Sequence, residues 1–244
     1  MINDSQNNKP QIALIGGNEF SRACEPVDRH LLNTLRKRTP KVAIIPTAVG
    51  HLTPQTVIDK AVRYFTQLKA EAYEIGIHDE SDANDPKITK HLRQSDAIYL
   101  TGGDPIYLIN SLKNSLFLSE LTNLYLSGHM IIGSSAGAMA LCESMQVPPG
   151  SGELIDGLNL IPNLCILPHY ENLAQPTTGE TSNSNRSIPS KAAITFIGID
   201  SQTALFLDGN DLKVLGSGFV TVIGKHRTKQ YASGSSVDNL LPID

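Results

Sequence analysis

The residues best suited to chemistry are the Gly-Ser-Ser-Ala-Gly segment at 133–137, which follows an apolar run and precedes a stretch of small residues. This order is typical of a nucleophile elbow, in which a strand turns sharply into a helix and presents the central serine, Ser135. Gly133 and Gly137 are the small residues that the strained backbone of such a turn requires. The amide of Ala136 would face a developing oxyanion. Because Gly-x-Ser-x-Gly also occurs by chance in loops, this interpretation depends on the strand and helix around it.

A serine nucleophile needs a base, and His169 is the best placed of the seven histidines. It follows a short apolar run at 164–167 and one proline, so it is expected at a strand end with polar residues after it. A neutral imidazole at that place can accept the proton of the serine. The alternative is a structural histidine whose ring nitrogens are satisfied by their neighbours.

Two glycines, Gly102 and Gly103, follow the apolar strand expected at 97–100. A backbone N–H without a side chain beside it is what a second oxyanion-hole donor requires, although a plain tight turn is the alternative. Asp104 comes next, directly before a proline. It could orient a substrate amine or accept hydrogen bonds from the start of the following helix.

A sheet whose strands end at one edge would bring these groups together. Apolar runs predict five strands, at 11–15, 42–45, 70–77, 97–100 and just before 133. Helices are predicted between them, at 24–38, 54–68 and 85–94, and helical segments at 105–126. Such alternation predicts an α/β fold, a three-layer αβα sandwich with a mostly parallel sheet. Since ligands bind at the carboxyl ends of the strands, we expect four segments to be neighbours, namely 16–19, 46–47, 102–104 and Ser135.

The C-terminal part differs in pattern from the rest. Residues 171–191 form a long polar stretch beside His169, typical of an active-site lid, a binding loop or disorder. Its cations Arg186 and Lys191 could meet a substrate carboxylate, although exposed cations more often have no such role. Short apolar runs then predict a small antiparallel β extension at the C-terminal end, with strands at 194–199, 203–207, 212–215 and 219–223.

Composition limits the classes of protein that the chain can belong to. With 244 residues and 40% apolar content, we expect one domain at 11–244 after a polar, disordered tail at 1–10. The net charge of -4 without a basic stripe argues against nucleic acid, and no apolar run is long enough for a membrane span. Three cysteines without metal-binding or disulfide spacing favour a cytoplasmic location and no metal or cofactor. A peptide or small acidic partner is expected, and a homodimer is compatible with the sequence.

Together these segments resemble the dipeptidase E and cyanophycinase family of serine peptidases, whose fold is similar to that of class I glutamine amidotransferases. The resemblance runs from end to end in six blocks, at 12–20, 45–48, 101–105, 133–139, 168–170 and 198–204. It implies that Ser135 is the nucleophile, that His169 is the base, and that Gly103 and Ala136 supply the oxyanion hole. It also implies a preference for acidic residues or β-aspartyl linkages.

The chain departs from this family at one catalytic position, because Ser201 stands where the family usually carries a glutamate. A carboxylate fixes the histidine tautomer and stabilises the imidazolium, whereas a hydroxyl can orient the imidazole but cannot neutralise its charge. Asp200, Glu171 and Glu19 are candidates to replace the missing acid. Of these, Asp200 would point to the opposite face of a regular strand.

Two functions of different class follow. The first is a serine peptidase that hydrolyses short acidic or β-aspartyl peptides. The second is a catalytically weakened relative that binds a peptide or acidic ligand without efficient turnover. In either case the candidates for substrate contacts are Gly102, Asp104, Ser134, Glu171 and Arg186.

Overall fold

The computed structural model describes residues 9–50, 54–149, 151–174, 194–224 and 228–237. Its largest sheet has seven strands, in the spatial order Asp211–Gly216 (β11), Thr203–Asp208 (β10), Gln11–Ile15 (β1), Met130–Ser134 (β5), Ala97–Leu100 (β4), Lys41–Ile45 (β2) and Glu71–Glu74 (β3). Strands β1 to β5 are parallel to their neighbours in this group, whereas β10 runs antiparallel to β1 and β11 antiparallel to β10. The expected α/β fold with a mostly parallel sheet is confirmed.

Helices cover both faces of this sheet. Their bounds are Glu25–Thr34 (α1), Pro54–Gln67 (α2), Glu80–Ala83 (α3), Pro86–Thr89 (α4), Pro105–Leu112 (α5), Leu116–Leu126 (α6), Ala136–Leu141 (α7) and Tyr170–Ala174 (α8), with 3-10 turns at Arg22–Cys24, Thr47–Val49 and Lys90–Gln94. The apolar sides of α1 and α2 share one core with alternate residues of the strands, and those of α5, α6 and α7 share the other. From β1 the chain moves across the sheet to β2 and β3, and it then returns through β4 to β5 beside β1. Because right-handed crossovers in opposite directions lie on opposite faces of a sheet, this order places helices on both faces.

Some elements are shorter than the sequence pattern indicates. The helix expected at 24–38 ends at Thr34, since Arg36 adopts a left-handed φ of 52°. The helical segments expected at 105–126 are the two helices α5 and α6, and α6 starts where the Ser115 side chain accepts a hydrogen bond from the amide of Leu118. The helix expected at 85–94 likewise divides into α4 and a 3-10 turn.

A second sheet carries the C-terminal side of the site. It has the order Thr228–Ala232 (β13), Phe219–Ile223 (β12), Thr195–Ile199 (β9) and Leu164–Pro168 (β8), and β8 is parallel to β9 while the other pairs are antiparallel. A hairpin of Ser144–Met145 (β6) and Ile155–Asp156 (β7) lies between α7 and β8 in the chain. The antiparallel strands expected in the tail are present, but β10 and β11 extend the main sheet while β9 and β12 join β8. This division brings the ends of β8 and β9 to the carboxyl edge of the main sheet.

The structure describes the last two residues of the polar tail expected at 1–10 and the first residues of the polar stretch expected at 171–191. At the N-terminal side, Lys9 and Pro10 are described, and the Pro10 carbonyl accepts a hydrogen bond from the Gly209 amide at 3.1 Å. Residues 170–174 form α8 rather than a loop, because the chain continues from β8 into a helical turn. Residues 1–8 and 175–193 lie outside the described part of the chain. Within that part, no helix has both the length and the apolar character to cross a membrane.

The core beneath α1 and α2 contains an acid, Asp28, whose side chain is fully buried. The Tyr64 hydroxyl donates a hydrogen bond of 2.6 Å to Asp28 Oδ2, and Oδ1 has no partner among the described residues. Burial raises the pKa of Asp28 to about 7; the bond from Tyr64 opposes this effect, and the charge of Glu19 adds to it. Asp28 is therefore a core group whose protonation is linked to folding.

We predict that Asp28→Asn changes how stability depends on pH. A carboxyl group whose pKa rises on folding stabilises the fold when protonated, so its contribution is full below about pH 4 and is lost as the pH rises through about 7. Asparagine stays neutral and still accepts from Tyr64. The free energy of unfolding of the variant relative to wild type should rise by on the order of 2 kcal/mol between pH 5 and pH 8.

Urea denaturation at a series of pH values measures this difference. Asp59→Asn is the matched control, since Asp59 is exposed on α2. A difference between Asp28→Asn and wild type that stays constant with pH would contradict the prediction.

Candidate active site

The turn between β5 and α7 has the geometry of a nucleophile elbow. Ser135 lies there, partly buried, with φ 49° and ψ -111°, a conformation that residues with a side chain rarely adopt. A Cβ on Gly133 would lie 2.6 Å from the Gly137 carbonyl oxygen, and one on Gly137 would lie 2.4 Å from the Leu100 carbonyl oxygen. The two glycines therefore allow the sharp turn that the sequence pattern indicates.

The end of β1 holds three segments of the site together. The carbonyls of residues 15–17 accept backbone N–H groups from Ser135, His169 and Gln202, at 2.9, 2.9 and 3.1 Å respectively. These three donors lie on the elbow, after β8 and after β9. The last residue of β1 and the two glycines after it thus fix the relative positions of residues that are far apart in the sequence.

Four side chains form a continuous hydrogen-bonded chain at this edge. Ser135 Oγ lies 3.1 Å from His169 Nε2, and His169 Nδ1 lies 2.9 Å from Ser201 Oγ. Ser201 Oγ in turn lies 2.5 Å from Glu171 Oε1, and the Ser201 amide donates to Glu171 Oε2 at 2.9 Å. The structure therefore brings Ser135, His169, Ser201 and Glu171 into one network.

The donors and acceptors in this network follow from the chemistry of the groups. An ionised carboxylate only accepts, so the Ser201 hydroxyl donates to Glu171 and has its lone pairs left for His169 Nδ1–H. The proton on Nδ1 leaves Nε2 free to accept from the Ser135 hydroxyl. Burial raises the pKa of Glu171, but the hydrogen bonds from the Ser201 side chain and amide outweigh it, and the pKa lies below its usual value. The network thus holds the imidazole in the tautomer that a general base requires.

The imidazole of His169 packs directly against the backbone of Gly17. His169 itself has a left-handed φ of 50°. A Cβ on Gly17, whose φ is +128°, would lie 2.1 Å from His169 Cε1. Behind the histidine, a Cβ on Gly198 would lie 2.3 Å from the Tyr170 ring. The absence of a side chain at Gly17, just after β1, and at Gly198 on β9 therefore makes the space in which His169 and Tyr170 pack.

The Glu19 carboxylate accepts hydrogen bonds from two residues that were expected to contact substrate. Its Oε1 accepts from the Gly102 amide at 2.8 Å, and its Oε2 accepts from the Ser134 hydroxyl at 2.8 Å. Gly102 and Ser134 therefore position Glu19 rather than facing open space. The pair of amides expected at the oxyanion hole, those of Gly103 and Ala136, is not engaged by this carboxylate.

Two other acids at this edge have structural contacts. Asp104 Oδ1 accepts from the amides of Ile106 and Tyr107 at 2.8 and 3.0 Å, so it caps the N-terminus of α5. Asp200 Oδ2 accepts from the Phe219 amide at 2.9 Å. Of the two roles considered for Asp104, the geometry is that of the helix cap.

A cavity of about 450 Å³ opens beside the network, and His169, Glu171, Asp200 and Ser201 contribute to its wall. The described residues that line it include no lysine or arginine. Arg186, the candidate for contact with a substrate carboxylate, lies outside the described residues, as does Lys191. Among the residues described, no group of three His, Cys, Asp or Glu side chains could hold a metal ion.

Comparisons with known proteins agree with this architecture. A family model described as peptidase family S51 matches residues 12–215. A cyanophycinase from Trichormus variabilis is 28% identical over 229 residues, covering 89% of this chain and 74% of the relative. A peptidase E from Nostoc sp. is 25% identical over 221 residues, covering 87% of this chain and 88% of the relative. The crystal structure of a peptidase from an acI-B1 Actinobacterium has the same fold, with a TM-score of 0.79, 23% identity, and coverage of 94% of this chain and 96% of that one.

We predict that Gly17→Ala slows the reaction of Ser135 with a serine-directed fluorophosphonate by at least ~10-fold, because the added methyl group displaces the imidazole of His169. Gly234→Ala is the matched control. Gly234 also has a positive φ, +83°, but nothing lies within 4 Å of its added Cβ. Labelling rates followed by mass spectrometry test the prediction, and equal rates for the two variants would contradict it.

Proposed function

The chain belongs to peptidase family S51, a family of serine peptidases, and on that premise we propose that Ser135 is the nucleophile and His169 the general base. The observation that carries the proposal is the 3.1 Å contact between Ser135 Oγ and His169 Nε2 at a strained strand-to-helix turn. A hydroxyl becomes a competent nucleophile when a positioned base removes its proton during attack. The tautomer argued above leaves Nε2 free for that task.

In the proposed acylation step, Ser135 Oγ forms a bond to the carbonyl carbon of the scissile peptide while its proton moves to His169 Nε2. The carbonyl electron pair shifts to oxygen, and the amides of Gly103 and Ala136 donate hydrogen bonds to the resulting oxyanion. As the C–N bond breaks, His169 returns the proton to the leaving amine. Water, activated by the same imidazole, then hydrolyses the acyl-enzyme and restores the Ser135 hydroxyl.

We propose short acidic or β-aspartyl peptides as the substrate class. The resemblance to the dipeptidase E and cyanophycinase family supports this choice. Because the described wall of the cavity contains Glu171 and Asp200 but no cation, a positive partner for a substrate carboxylate has to come from elsewhere in the chain. Arg186 is the proposed partner, since it belongs to the polar segment that follows Glu171 in the sequence.

We predict that the fluorophosphonate labels Ser135 and that Ser135→Ala abolishes both labelling and peptide hydrolysis. The thermal midpoint of the variant should stay within a few degrees of wild type, because a partly exposed hydroxyl contributes little to packing. Ser119→Ala, at an exposed serine on α6, serves as a control. Labelling that survives Ser135→Ala would refute the assignment of the nucleophile.

We also predict that kcat/KM for Asp-Leu and isoaspartyl-Leu exceeds that for the neutral peptide Asn-Leu by about 10-fold or more, because a charge-assisted hydrogen bond recognises the carboxylate. Arg186→Gln should reduce this ratio by raising KM for the acidic peptides. Initial rates over a range of peptide concentrations measure both quantities. Equal kcat/KM for the acidic and neutral peptides would reject the proposed substrate class.

A further inference from the structure

We infer that Glu171 supplies the negative charge of the site through the hydroxyl of Ser201, so that the acid of a serine–histidine–acid site is divided between two residues. The inference rests on the proposed function, in which His169 is the base. Glu171 is a positioning residue in this arrangement, because it acts through Ser201 and contacts no reacting atom.

The contacts of Ser201 support this division. Its hydroxyl lies 2.9 Å from His169 Nδ1, so the position where the family resemblance implies an acid faces the imidazole. Glu171 holds Ser201 twice, through Oγ at 2.5 Å and through the backbone amide at 2.9 Å. The hydroxyl contact is at the short end of the range for O–H···O⁻ bonds, as expected when the acceptor is charged. Both the rotamer and the backbone of Ser201 are therefore set by the carboxylate.

The other two carboxylates considered from the sequence are engaged elsewhere. Asp200 accepts a backbone amide of β12, and Glu19 is held by Gly102 and Ser134. Of the three candidates, Glu171 has the contact with Ser201 that the replacement of an acid requires. Its position two residues after His169, at the start of α8, allows the same chain segment to carry the base and its charge partner.

The chain of hydrogen bonds can serve both the ground state and the transition state. Before attack, Glu171 directs the Ser201 proton toward itself, so Ser201 accepts from Nδ1–H of the imidazole. During attack His169 becomes an imidazolium, and its Nδ1–H bond to Ser201 strengthens because the hydroxyl is polarised by the carboxylate. No proton needs to move to Glu171. The negative charge acts from one hydrogen bond farther away than in a direct histidine–carboxylate pair, so its effect should be smaller.

Glu171→Gln is the sharpest test, because an amide cannot reproduce the two acceptors. If its NH₂ faces the Ser201 amide, two donors oppose each other. If it faces the Ser201 hydroxyl, that hydroxyl is free to donate to Nδ1, and the imidazole proton moves to Nε2, where it blocks acceptance from Ser135. In a direct pair the wrong tautomer lowers kcat by about 10⁴, so we expect a loss of at least ~10² here.

Three readouts separate this role from a structural one. In Glu171→Gln, kcat should fall while KM for the acidic peptide stays within about 3-fold, because both oxygens of the Glu171 carboxylate are engaged by Ser201. The acid limb of the pH profile of kcat/KM should move to lower pH, since the imidazolium loses a nearby negative charge. The thermal midpoint should change by no more than a few degrees. Glu71→Gln, the same substitution at an exposed glutamate at the start of β3, is the matched control and should keep wild-type kcat.

A rescue experiment tests where the charge is needed. Glu171→Ala removes the charge and leaves space beside Ser201. Adding Ser201→Glu to Glu171→Ala returns a carboxylate to direct reach of Nδ1 and should raise kcat at least ~10-fold above that of Glu171→Ala alone. Ser201→Glu in the presence of Glu171 brings two carboxylates together and should lower kcat or leave it unchanged.

The outcomes distinguish this inference from the proposed function. If Ser135 of the wild-type protein is not labelled by the fluorophosphonate, the proposed function fails, and this inference fails with it. If Ser135 is labelled and His169→Ala suppresses labelling, but Glu171→Gln keeps kcat within about 3-fold of wild type, only the inference is overturned. A large loss of kcat with the shifted pH profile, and its rescue in the double variant, would support it.

Discussion

The site depends on the close approach of other segments to the end of β1. Three consecutive carbonyls, of residues 15–17, each accept a backbone amide from a different part of the chain. Such an approach requires the absence of side chains, since a Cβ on Gly16 would lie 2.2 Å from the Asp200 carbonyl oxygen and one on Gly17 would meet the ring of His169. The two glycines and their paired carbonyls therefore set the distances among the elbow, the histidine and the turn that carries Ser201.

An acid beside a catalytic histidine has two separable tasks: it selects the tautomer, and it compensates the positive charge of the imidazolium. In this protein a hydroxyl is in the place that touches Nδ1, and a carboxylate lies directly behind it. Ser201 is oriented only because Glu171 is ionised and can accept but not donate. In the inferred arrangement the carboxylate acts from one hydrogen bond farther away, so it still selects the tautomer and supplies part of the electrostatic effect, and a serine at position 201 is compatible with His169 as the base.

Local sequence patterns predicted much of the architecture. The strands β1, β2 and β4 are short apolar runs buried on both faces, and their bounds agree closely with the pattern. The elbow at Ser135 follows from the spacing of its glycines. The sequence pattern did not predict which sheet each C-terminal strand joins. Strands β10 and β11 extend the main sheet, whereas β9 and β12 belong to the sheet that contains β8. An apolar run indicates that a strand is buried, but it carries little information about which neighbour completes its hydrogen bonds.

The sequence by itself determined the fold class, the serine at the elbow and the histidine at the end of β8, because each depends on residues close together in the chain. Only the tertiary structure decided which of Glu19, Glu171 and Asp200 contacts Ser201, and that the Gly102 amide donates a hydrogen bond to Glu19. These outcomes join residues as far apart as positions 19 and 102 or 171 and 201, and they depend on rotamers and strand ends that differ by a few ångströms. Periodicity and spacing specify the direction of a side chain along its own element, whereas the contact between two elements is set by how they pack.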